Sequence, residues 1–165
     1  MAKNINQKAM PKQSAGILLY RFIKKQMQFL LVHPGGPFWA KKDTGAWGIP
    51  KGEFDETEDA LVAARREFEE ETGIIIDGEF IELKPVKLKG GKTVYAYALE
   101  DDPDISKAVS NTFEIEWPPH SGRQQSFPEV DQYGWFTFEE ALQKINPSQL
   151  PLLEELRLIN GHSPR

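Results

Sequence analysis

Two β-like apolar runs open the chain, at 14–22 and 26–33, and the basic turn Ile23-Lys24-Lys25 between them predicts a hairpin. A short strand is expected at 47–50. The period then changes. From 55 to 72 the apolar residues Leu61, Ala64 and Phe68 recur at helical spacing, and Gly73 supplies the left-handed stop. Asp55 is the expected cap of that helix, with Glu58 three residues on completing a capping box. Extended chain follows at 74–76 and 78–89, and Gly90-Gly91 turns it into a strand at 92–100. The sequence predicts a loop at 101–111, a strand at 112–117, a long loop at 118–130 and a last strand at 133–136. Thr137 caps a helix through Ile145, and Pro147 opens another through about Ile159. Strands on both sides of a central helix, with helices closing the chain, predict an α/β fold with a mixed sheet between helices. Residues 1–12 read as a flexible tail and 13–160 as one domain.

The polar face of the central helix carries the chemistry. With Glu67 at 0° on a helical wheel, Glu71 falls at about 40° and Glu70 at about 300°, so the three carboxylates share one face. Like charges so close repel unless a cation sits among them, and all-oxygen donor sets suit Mg²⁺ or Mn²⁺. Arg66 can take Glu70 at i+4 or hold a neighbouring carboxylate through both ends of its guanidinium. Gly52 lets the backbone turn tightly ahead of the helix, so its carbonyl can face a metal.

From Gly52 the chain runs five residues to Glu58, then seven to Arg66-Glu67-Phe68-Glu69-Glu70-Glu71-Thr72-Gly73-Ile74. Residues 52–74 resemble the Nudix box, with no defining position missing. Seven fixed residue types match by chance on the order of 10⁻⁹ times per start position. The resemblance implies a Nudix α/β/α sandwich with a central mixed β-sheet and metal-dependent hydrolysis of a phosphoanhydride. It implies Gly52, Glu67, Glu70 and Glu71 as metal ligands, Arg66 as the group orienting Glu67, and Glu67 as a possible general base. Glu58 would be mainly structural, with a metal link as its other implied part. A late acid also belongs to the pattern: Glu129, in Ser126-Phe-Pro-Glu-Val-Asp131, is the choice, with Asp131 its competitor.

Composition narrows the rest. The chain has 165 residues, 39% apolar and 27% charged, as in ordinary globular domains. It has no cysteine, which excludes thiolate metal sites and cysteine nucleophiles. A net charge of −5 argues against a stable nucleic-acid complex. No apolar run is long enough to span a membrane, and the N-terminal residues lack the apolar core of a secretory signal. A cytoplasmic protein is the expectation; oligomeric state is left open. His33, His120 and His162 have no nucleophile paired with them in sequence and read as incidental.

The substrate is read from outside the box. Trp39, Lys42, Lys51, Tyr95 and Tyr97 are the candidate contacts for a nucleotide-type small molecule, with Trp47 and Trp117 as further aromatics able to stack on a base. Resemblance to the dinucleoside polyphosphate branch is favoured. NTP or oxidised-NTP cleavage and nucleoside diphosphate sugar hydrolysis are the enzymatic alternatives. A catalytically silent nucleotide-binding module is the non-enzymatic one.

Overall fold

A computed structural model describes residues 12–161. Most of the tail expected at 1–12, and His162, lie outside the described residues. Strands β1 (Gln13–Ile23) and β2 (Gln26–Pro34) form the expected hairpin, with Tyr20 opposite Phe29 and Ile23 opposite Gln26. The two residues between them, Lys24 and Lys25, have φ of 50° and 69°. Positive φ at both positions gives the turn a twist that matches the strands it joins.

β1 is the spine of a seven-stranded sheet. β3 (Lys51–Phe54) pairs with its first residues, and β6 (Thr93–Glu100) runs parallel beside it from Gln13 to Tyr20. β4 (Ile81–Glu82) and β5 (Val86–Lys87) pair with β6, and β9 (Val130–Thr137) closes the other edge against β2. One parallel pairing among antiparallel ones makes the sheet mixed.

The two-residue period of β1 explains the layers. Ala15, Ile17 and Leu19 face helix α1 (Ala60–Thr72) and pack on Ala63, Ala64 and Phe68. Leu18 and Tyr20 face the opposite side, where Ala141 of α2 (Phe138–Lys144) and Leu152, Leu153 and Leu156 of α3 (Leu150–Ile159) cover them. Helices on both faces of one sheet give the expected α/β/α sandwich.

Four local expectations are corrected. Asp55 does not cap α1: its Oδ1 accepts from the Thr57 N–H and hydroxyl, closing the turn before the helix. Asp59 is the cap, accepting from the Leu61 and Val62 N–H groups. The Glu58 carboxylate is held by Arg66 and cannot serve the helix start. The strand expected at 47–50 begins only at Lys51, because Pro50 has no N–H to give a ladder. Trp47 and Gly48 make single bridges, to Ile145 and Val32. The loop expected at 118–130 contains β8 (Gln124–Pro128), which pairs with β7 (Thr112–Glu116) in a separate two-stranded sheet. Finally, Pro147–Gln149 forms a 3₁₀ turn before α3 starts. The capping box of α2, Thr137 with Glu140, is as expected.

Candidate active site

Arg66 organises the acids of α1. Its Nε and Nη2 donate to the two oxygens of Glu58, both at 2.8 Å, so the fork grips that carboxylate bidentately. Its Nη1 donates to Glu67 Oε2 at 2.8 Å and to Glu70 Oε2 at 3.0 Å. Three carboxylates on one guanidinium hold the arginine firmly in its charged form, Glu58 contributing most.

The C-terminal end of α1 is tied down as well. Gly73, at φ 73°, donates its N–H to Glu69 O, and only glycine takes that conformation without strain. The carbonyls of Glu70, Glu71 and Thr72 accept from Asn111 N, the Tyr133 hydroxyl and Val109 N. Asn111 O then receives the Glu129 N–H at 2.9 Å. Two hydrogen bonds therefore link the late acid to the helix that carries the box acids.

Glu67, Glu70, Glu71 and Glu129 all line one cavity of about 640 Å³, together with Gly52, Glu53 and Lys51. Burial raises the pKa of Glu67, an effect the Arg66 bond opposes and Glu70 reinforces. Burial also pushes Glu71 up to about 8, with Lys51 opposing and Glu67 adding to the shift. Glu129 is raised by partial burial and then by repulsion from Glu70. Lys51 is lowered by its own burial, although Glu71 pulls it the other way. The wall is oxygen-rich and short of positive charge, a setting that fits a hard divalent cation. The acids are not arranged as a closed ligand set: among the described residues no three acidic or histidine side chains stand as a metal-holding group. Arg66 draws the Glu67 and Glu70 carboxylates to its own edge, while Glu71 lies towards Lys51.

Gly52 is required by this packing. A Cβ there would fall 1.9 Å from Glu67 Oε1, so any side chain displaces that carboxylate. Gly52→Ala is expected to fold, because a side-chain end can move, but to lose about 10²-fold in kcat/KM. A thermal melt alongside steady-state rates checks both halves of that expectation.

Apolar side chains and amides line the same cavity. Val32, Trp47, Ile49 and Leu88 are among the apolar ones. Gln149 is 3% exposed, and its Oε1 accepts from Ile49 N at 2.9 Å, which leaves its Nε2 for the cavity. Asn146 is similar: Oδ1 takes Ser148 N at 2.9 Å, and the side-chain nitrogen has no hydrogen bond among the described residues. The Ser14 hydroxyl, buried at the same cavity, has no hydrogen-bond partner among the described residues. These groups can meet the polar edge of a flat ligand.

The residues expected at the substrate divide. Trp39 and Lys51 line the cavity, as does Trp47, whose indole N–H donates to Asp43. Lys42 does not line it: its ammonium stands 5.2 Å over the Trp39 ring, and its carbonyl meets His33 Nε2 at 2.6 Å. Tyr95 and Tyr97 also lie outside it. They point to the α1 side of β6, where Tyr95 meets Phe54 edge-on and accepts from Gln13, and Tyr97 joins the core beneath the helix. Asp131 is engaged elsewhere, with Oδ1 2.7 Å from His33 Nδ1. His33 is buried and bridges β9 to the 35–45 loop, so its part is structural.

Gln149, Asn146 and Ser14 were missed from sequence. Gln149 had left a signal, since it shares the 149, 152, 153, 156 stripe with three buried leucines, an odd place for an amide.

The NUDIX domain family matches residues 10–156. A putative mRNA-decapping protein of Acanthamoeba polyphaga mimivirus is 30% identical over 119 residues, 67% of this chain. The chain spans only 29% of that protein's length. Among solved structures, the NUDIX domain of Shewanella oneidensis NrtR complexed with ADP ribose is similar at a TM-score of 0.64 and 18% identity, over 97% of this chain and 99% of that one. A C. elegans Ap4A hydrolase binary complex is similar at 0.59 and 23% identity, over 90% and 97%. Identities this low establish a shared fold.

Proposed function

The chain belongs to the Nudix hydrolase family, and from that premise we propose that it is a metal-dependent pyrophosphohydrolase of nucleoside diphosphates linked to a second group, best a dinucleoside polyphosphate. One observation carries the reading: Glu67, Glu70, Glu71 and Glu129 line a single cavity that apolar side chains and the amides Asn146 and Gln149 also line. All the box acids are retained, which favours a hydrolase over a silent binding module. The name Ap4A hydrolase, borne by a protein of the same fold, lends support to a dinucleoside substrate.

Glu67, Glu70 and Glu71, with Gly52 beside them, are the residues that would hold Mg²⁺ or Mn²⁺. Such an ion, when bound, neutralises diphosphate oxygens and acidifies water. The chain's own groups do the remainder. Arg66 fixes Glu67 and Glu70, and Lys51 faces Glu71 and would face an anionic substrate. Trp39, 38% exposed at the cavity, offers its ring to the base, while Trp47 is packed in the core against His33 and Phe136.

Two acids compete to take the proton from the attacking water. Glu67 has one oxygen on Arg66 and the other packed against Gly52. Glu129 makes no side-chain hydrogen bond among the described residues, and its raised pKa suits a base, so it is the stronger choice. Glu129→Gln should lower kcat about 10²-fold with KM little changed; an unchanged kcat would return the role to Glu67.

No helix among the described residues is long and apolar enough to cross a membrane. With no cysteine in the chain, a cytoplasmic setting is proposed. The test of the function is a product screen by mass in H₂¹⁸O across dinucleoside polyphosphates, NTPs and nucleotide sugars. Heavy oxygen in a nucleotide product with Mg²⁺ present supports the reading and names the attacked phosphorus. No hydrolysis of any of them defeats it.

A further inference from the structure

Trp39 lines the cavity, and its chain neighbour Phe38 pairs with Trp117 on the surface beside it. Phe38 is 64% exposed and Trp39 38% exposed, so both are less buried than large aromatic side chains usually are. The half-buried Trp117 ring meets Phe38 edge-to-face, with centroids 5.4 Å apart and planes at 75°. The two segments that carry them are locked together. Gly35 donates its N–H to Glu129 O at 2.9 Å. Gly36 lies so close beneath Phe113 that a Cβ would stand 2.8 Å from its ring, and Phe113 is itself packed on Phe127 across the β7–β8 hairpin. The ledge is therefore built into the fold.

It is also continuous with the site. Trp39 both belongs to the ledge and lines the cavity. The loop bearing Phe38 and Trp39 is bonded to the backbone of Glu129, whose carboxylate is part of the acidic wall. Lys42 stands over Trp39, and Lys41 is exposed beside it, so cations flank the rings on this side. Arg123 and His120 are exposed on the hairpin turn; Glu114 and Glu116 are the acids there, and Glu116 is bonded to Gly122 N.

We propose that the Phe38, Trp39 and Trp117 ledge stacks the second nucleobase of a two-nucleoside polyphosphate whose first nucleoside lies in the cavity. The proposal rests on the pyrophosphohydrolase reading above. Ring faces bind any base, and the neighbouring lysines suit the phosphate chain that joins the two nucleosides. A protein partner is a poor fit, because three rings of about 150–250 Å² each, partly covered, fall short of the roughly 1,000 Å² of a stable contact.

The test uses pairs of nucleotides with the same phosphate chain and one or two bases. These are adenosine and guanosine tetraphosphates against diadenosine and diguanosine tetraphosphates. For the wild type, KM is expected to be about tenfold lower for the two-base member of a pair, the scale of one stacked base. Phe38→Ala and Trp117→Ala should bring that ratio close to one, and Trp117→Phe should retain most of it. Ile75→Ala, which trims an exposed apolar side chain outside the ledge, should leave the ratio at its wild-type value. A wild-type ratio near one, or a ratio unmoved by Phe38→Ala and Trp117→Ala, overturns the ledge and leaves the hydrolase intact. Turnover of none of the four nucleotides removes the two-nucleoside polyphosphate as substrate, and the ledge with it, while hydrolysis of other nucleoside diphosphate compounds stays open to the screen above.

Discussion

Replacing Glu71 with Gln is expected to lower kcat/KM about 10³-fold, the loss of several kcal/mol of charge stabilisation at the reacting phosphates. The same change should make the metal-free protein more stable at high pH. Burial holds the folded-state pKa of Glu71 at about 8, above its ordinary value of 4.5. The stability this group contributes is therefore full below its unfolded value and is lost as pH rises through about 8. Gln carries no such dependence. Melting of both proteins in chelator should give nearly equal Tm at pH 5 and a Tm several degrees higher for the variant at pH 8. A variant that is inactive and also less stable at both values would mean that Glu71 is a structural acid, not one held under strain for binding.

Arg66 gives the second large effect. Removing it leaves Glu58, Glu67 and Glu70 without their shared cation. The group is 39% exposed, so solvent screens part of the loss, and about 2 kcal/mol of stability is expected to go with Arg66→Ala. Activity should fall further than stability, since Glu67 and Glu70 both lose the Nη1 that fixes them. Arg66→Lys is the sharper test. A lysine keeps the charge but lacks the fork that grips both Glu58 oxygens while reaching two more acids. It should recover most of the Tm and little of the kcat. Full recovery of both would reduce Arg66 to a point charge.

The box was legible because its chemistry is local. Glu67, Glu70 and Glu71 share a face by spacing alone, and Arg66 at i−4 from Glu70 had to fall beside them. The cap of α1 was harder, since the run Asp55-Glu-Thr-Glu-Asp59 offers several acceptors; Arg66 decides by taking Glu58 away. For Tyr95 and Tyr97, alternation correctly puts both rings on one face of a strand. It does not say which face meets the cavity, because that depends on where α1 and α3 dock, and both rings lie on the α1 side. Strand β8 was hidden by its polar Gln124-Gln125-Ser126, whose partner β7 gives the only reason for it to be extended. Ser14 carried no signal at all. A lone serine in an apolar run looks like tolerance until the cavity beside it is known.

The central claim is that a ridge of acids gathers divalent ions for a diphosphate, and Mn²⁺ binding followed by electron paramagnetic resonance tests it most directly. The wild type should bind Mn²⁺ and release it to competing Mg²⁺, and Glu67→Gln, Glu70→Gln and Glu71→Gln should each weaken binding by about tenfold or more. Equal Mn²⁺ affinity in the wild type and all three variants would contradict the claim.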